Sequence, residues 1–106
     1  MRRLAAVAVA ALLCATVSCG GGAIPRPDDS AVARVRPRWP DTTRAQLEQG
    51  RDLYVARCGG CHPLHRPGEL DAARWSIVVG EMAERARLDV AQRDLVLRYL
   101  TALSAP

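Results

Sequence analysis

The pentad Cys58-Gly59-Gly60-Cys61-His62 limits this chain more than any other stretch. Two thiols three positions apart at a helix end can each add to one vinyl group of a porphyrin. The histidine that follows then directs its imidazole at the iron from the same side. C-x-x-C-H is the attachment signature of a covalent c-type haem, and Gly59 and Gly60 put no side chain between backbone and ring. Two other uses of paired cysteines fit less well. A redox C-x-x-C sits at a strand-to-helix junction in a βαβ unit, and no alternating strand pattern is readable anywhere here. A structural zinc site needs four ligands, and outside the pentad only His65 is left to supply one.

Around the pentad the pattern is helical. Thr43 with Gln46 three positions on forms a capping box, and Leu47, Gly50 and Tyr54 then share one face of a helix that Arg57-Cys58 closes. A second helix opens at Asp71, with Trp75, Val78, Val79, Met82 and Ala86 on its apolar face, close to the i, i+3, i+4, i+7 template. A third opens at Asp89 with Gln92 at the box position and buries Leu95, Val96, Tyr99, Leu100 and Leu103. The expected fold is all-α, a small three-helix domain over residues 41–106. A core of about 65 residues is marginal without a staple such as a disulfide or a metal, and the haem motif supplies one.

The start of the chain has a different character. Arg2 and Arg3 precede an unbroken apolar run from Leu4 to Leu13, then the small residues Ala15 to Ser18. A basic start, an apolar run of about ten residues and a small-residue zone define a secretory signal. The run is too short to span a membrane, which takes about 20 residues. Thr16-Val17-Ser18-Cys19 resembles the lipobox of bacterial lipoproteins, although that family usually has Leu where Thr16 stands. The resemblance implies a signal peptide over 1–18, a lipid on Cys19 and attachment to the periplasmic side of a membrane, with ordinary cleavage to a soluble periplasmic protein as the alternative. Cys14 leaves with the signal, so Cys58 and Cys61 are the cysteines of the mature body. From Cys19 to Pro40, Gly20-Gly21-Gly22 and four prolines among charged residues read as a flexible linker, about 25 Å of average reach. Every basic residue is Arg, and removing Arg2 and Arg3 lowers the formal charge from +4 to +2. No basic tract interleaved with aromatics favours nucleic acid. No nucleophile–base pair, carboxylate dyad or phosphate loop marks an enzyme.

Residues 41–103 resemble the monohaem class I cytochrome c family in a compact bacterial form. Gly50, Tyr54 and Tyr99 match the glycine and aromatics through which that family's first and last helices pack. The stretch Gly50 to Tyr54 and the pair Tyr99-Leu100 are also typical. The resemblance implies a fold wrapped around one haem c held by Cys58 and Cys61, with His62 as proximal iron ligand. It also implies a single-electron carrier that works as a monomer with redox protein partners. Pro67 corresponds to a loop proline whose carbonyl region accepts the Nδ1–H of the ligating histidine. Trp75 is expected beside the haem or a propionate, with core packing as the alternative.

The sixth iron ligand follows from what is available. Met1 leaves with the signal, so Met82 is the one thioether of the mature chain. It lies seven positions after Trp75, on the same side of the second helix. A soft thioether suits a His-ligated haem of raised potential. The interval from His62 to Met82 is twenty residues, shorter than in larger family members. The alternative is that Met82 fills the core, as most helix-face methionines do. His65 follows His62 too closely to reach the opposite haem face and is expected as an exposed loop residue. Two rival functions remain: a haem-bearing accessory subunit of a larger oxidoreductase, with the same chemistry but a fixed partner, and a small-ligand sensor, a different class of protein, if Met82 does not bind iron.

Overall fold

Side-chain caps decide where the helices of this chain begin. The computed structural model describes residues 23–60 and 62–106; the signal segment, Cys19, Gly20 to Gly22 and Cys61 lie outside the described residues. In chain order the elements are α1 (Asp29–Val35), α2 (Arg44–Cys58), a 3-10 turn (Pro67–Glu69), α3 (Ala72–Met82) and α4 (Val90–Ala102). At the start of α2, Thr43 Oγ1 accepts from the Gln46 N–H at 3.2 Å while Gln46 Oε1 accepts from the Thr43 N–H at 3.0 Å. Asp89 and Gln92 form the same reciprocal pair at α4, and Asp71 accepts from the Arg74 N–H at 2.8 Å at α3. Each cap satisfies backbone donors that a helix start leaves unpaired. Among the described residues there is no strand, and one isolated bridge pairs Asp71 with Ala105. The all-α expectation holds at that level.

Helices α2 and α4 form the centre of the fold, and they meet at Gly50. A Cβ built there would collide with the Leu95 carbonyl and the Tyr99 Cβ, so the backbones approach where only glycine fits. Tyr54 lies one turn on, its ring centroid 6.3 Å from that of Tyr99. Helix α3 closes the other side with Trp75, 1% exposed, packed edge-on against Tyr54 at 5.9 Å. Tyr54, Trp75, Val79, Val96, Tyr99 and Leu100 make one buried cluster.

The stretch read as a flexible linker is a correction. From Ile24 onward it is packed onto the domain, and α1 adds a fourth helix to the three expected. Asp28 caps α1 by accepting from the Ala31 N–H at 2.9 Å, and Ala31, Val32 and Val35 bury against Leu47 and Ala102. Ahead of the helix, Arg51 donates to the Ile24 carbonyl at 2.8 and 3.0 Å, and the Tyr99 hydroxyl donates to the Pro25 carbonyl at 2.5 Å. Arg34 donates to the Ala102 carbonyl at 3.1 Å. After the helix, Arg98 in α4 bonds Asp94, Asp41 and Thr42 at 2.8–3.2 Å and fixes the turn that enters α2. The prolines that suggest a linker instead shape a strap whose backbone carbonyls are satisfied by side chains of α2 and α4.

Candidate functional site

A narrow cleft opens beside the pentad, between the last turn of α2, α3 and the middle of α4. Its walls are predominantly apolar. Tyr54 and Cys58 come from α2, Trp75, Val78, Val79 and Met82 from α3, Val96 and Leu100 from α4. His62, His65 and Leu88 complete the lining from the two loops. Val78 and Met82, expected on the buried face of α3, are half-buried because that part of the face lines the cleft.

Helix α2 ends at Cys58, which delivers the thiol at its C-terminus, and burial pushes that thiol above its ordinary value. The glycines that follow are not equivalent. A Cβ on Gly59 would come within 3.2 Å of the Val55 carbonyl, whereas one on Gly60 would meet no protein atom within 4 Å. Cys61 lies outside the described residues, so the first thiol alone is placed.

His62 is exposed at the mouth of the cleft, and its Nδ1 is 2.9 Å from the carbonyl of Pro63. A contact with a carbonyl puts the ring proton on Nδ1 and leaves the Nε2 lone pair free to bind a metal. The carbonyl region of Pro67, the partner expected for this nitrogen, is a correction. The Pro67 carbonyl accepts instead from Trp75 Nε1 at 2.7 Å in a buried hydrogen bond. A buried indole N–H needs an acceptor, and the Pro67 carbonyl supplies it. Trp75 is fully packed in the core and also forms part of the cleft wall.

His65 is more engaged than an idle loop residue. Its side chain is 59% exposed, its Nδ1 lies 3.1 Å from Glu69 Oε2, and its ring centroid is 5.8 Å from that of His62. The Tyr54 hydroxyl donates to the His65 carbonyl at 2.6 Å, which ties the loop after the pentad to the cleft floor. Burial, foremost, raises the Tyr54 hydroxyl well above its ordinary value, so it is a donor throughout the neutral range.

The arrangement brings Cys58, His62 and Met82 to one apolar space and leaves Pro67 outside the set that faces it. Among the described residues no three His, Cys, Asp or Glu side chains gather to hold a bare ion. The donors that line the cleft are a thiol, the imidazoles of His62 and His65 and a thioether among apolar walls, a set suited to a flat apolar group carrying its own metal. The residues present therefore fit a haem. Leu88 is the lining residue that sequence reasoning missed. It stands in the loop between α3 and α4, where no periodicity marks a buried position. Comparison with protein-family models, curated proteins and solved structures finds no match to the chain.

Proposed function

We propose that this chain is an exported single-electron carrier of the cytochrome c type. One haem c would be held by thioether links to Cys58 and Cys61, with His62 and Met82 as the side chains that would bind its iron and a lipid on Cys19 as membrane tether. The observation that carries this reading is the convergence of Cys58, His62 and Met82 on one predominantly apolar cleft, directly after the attachment signature. The packing of Gly50 and Tyr54 against Tyr99 adds support, since these are the helix contacts the family resemblance implies.

The chemistry supplied by the bound haem is one-electron exchange at iron. The chain's own part is to hold, orient and exclude water. The Nδ1–H of His62 donates to the Pro63 carbonyl, which fixes the tautomer and makes the ring more electron-donating. Met82 would offer a soft donor from the end of α3, and His62 and Met82 together would leave no place for a substrate on the iron. Trp75, Val79, Val96 and Leu100 keep the cleft dry. The test is Met82→Ala. It should open a coordination site, let carbon monoxide bind the ferrous haem and lower the midpoint potential. An unaltered spectrum and potential would remove Met82 as ligand and leave the carrier reading without its sixth donor.

A further inference from the structure

Arg57, the residue immediately before Cys58 in α2, sends its side chain across to the turn after α3. Its Nη1 donates to the Arg87 carbonyl at 2.9 Å and lies 3.4 Å from the Ala86 carbonyl. Those carbonyls belong to the turn that leaves Met82. The Ala86 N–H donates to the Met82 carbonyl at 2.9 Å, and the Leu88 N–H donates to the Ala83 carbonyl at 2.9 Å. Within that turn Arg87 has φ 55°, the one positive φ at a non-glycine among the described residues. A side-chain-bearing residue keeps this conformation only where its surroundings fix it. Leu88 then returns to the cleft wall. One guanidinium thus bridges the wall that bears the attachment cysteine and the turn that follows Met82. Arg57 takes part in no ion pair among the described residues, so the two carbonyls are what hold its head group.

We propose that Arg57 is a positioning residue that holds the Met82 turn against the cleft and so sets how firmly the thioether occupies the sixth iron position. The inference rests on the His62/Met82 reading above. Charge-assisted donation to a carbonyl is stronger than a neutral hydrogen bond, and here it acts between two segments thirty residues apart in sequence. Without it the strained turn is free to relax, and Met82 with it.

The experiment compares wild type, Arg57→Ala, Arg57→Lys and Met82→Ala as haem-loaded proteins. It reads carbon monoxide binding to the ferrous state and the sulfur-to-iron charge-transfer band of the ferric state. The same band is followed through a urea titration beside the helical circular dichroism. Arg57→Ala should raise the apparent carbon monoxide affinity about tenfold and lose the band at lower urea than the helix signal. Arg57→Lys, with one point donor instead of a fork, should fall between. Wild type should lose both signals together. If Arg57→Ala matches wild type in both readouts while Met82→Ala differs, the Arg57 assignment is overturned and the carrier reading stands. Coincident loss of band and helix in Arg57→Ala would also overturn it, because general destabilisation would then account for the effect. If Met82→Ala changes nothing, the ligand assignment falls and Arg57 with it. Should Arg57→Ala fail to fold, the order of band and helix loss in Arg57→Lys decides in the same way.

Discussion

Adding a methyl group at Gly50, in the middle of α2, would drive a Cβ into the Leu95 carbonyl and the Tyr99 Cβ. On an open helix surface Gly→Ala gains up to about 1 kcal/mol from propensity. Here α2 and α4 would have to part, and Gly50→Ala is expected to cost about 3 kcal/mol instead, measured by chemical denaturation. A neutral or stabilising result would mean the two helices can separate freely. Met82 poses a different question at the same scale. As packing alone, a half-buried methionine cut to alanine would lose about 2 kcal/mol with spectrum and potential unmoved. As an iron ligand it would change both. Cys58 and His62 are legible from the pentad, and Met82 from its place on the apolar face of α3. The Pro63 and Pro67 carbonyls could not be told apart in the sequence, because which of two nearby loop carbonyls meets a given donor is decided by where Trp75 docks. Arg57 and Leu88 were equally out of reach, since their partners lie across loops that carry no periodic signal.

The starts of α2, α3 and α4 were readable because their cap chemistry is local: Thr43, Asp71 and Asp89 bond to backbone within three residues. Helix α1 was not readable. Seven residues are too few to be stable alone, and its inward face of Ala31, Val32 and Val35 becomes apolar surface only against Leu47 and Ala102. The burial of Tyr99 in α4 has a consequence at alkaline pH. Burial, outweighing the nearby Arg51 guanidinium, pushes the Tyr99 hydroxyl up to about 12, while an unfolded tyrosine titrates near 10. The folded form therefore holds its proton where the unfolded form has lost it. The contribution to stability is complete below pH 10 and is lost as pH rises from about 10 to about 12. The melting temperature should drop across that window. Tyr99→Phe should flatten part of the drop, the remainder belonging to Tyr54, whose hydroxyl is also raised by burial. A drop of full size in Tyr99→Phe would contradict this assignment.

For the molecule as a whole, the docked strap changes how the domain would hang from a membrane. With the Ile24 and Pro25 carbonyls held by Arg51 and Tyr99, the covalent reach from Cys19, on the proposed lipidation, to Ile24 would be at most about 17 Å, not the roughly twenty-residue leash that composition suggests. On the proposed lipidation, Cys19→Ala should move the protein from the membrane fraction to the soluble one and leave its redox spectrum unchanged. A wild type that is already soluble after cell breakage would count against the tether. On the proposed haem attachment, Cys58→Ala should weaken covalent haem retention and lower the melting temperature, because the haem would complete a small core. The most direct measurement is a redox titration followed by absorption on protein made in a host that matures c-type haem. The account predicts a haem spectrum that stays with the polypeptide after denaturation, and in the folded protein a single reversible one-electron transition. A polypeptide without haem absorbance, or one whose haem is washed away by denaturant, would contradict it.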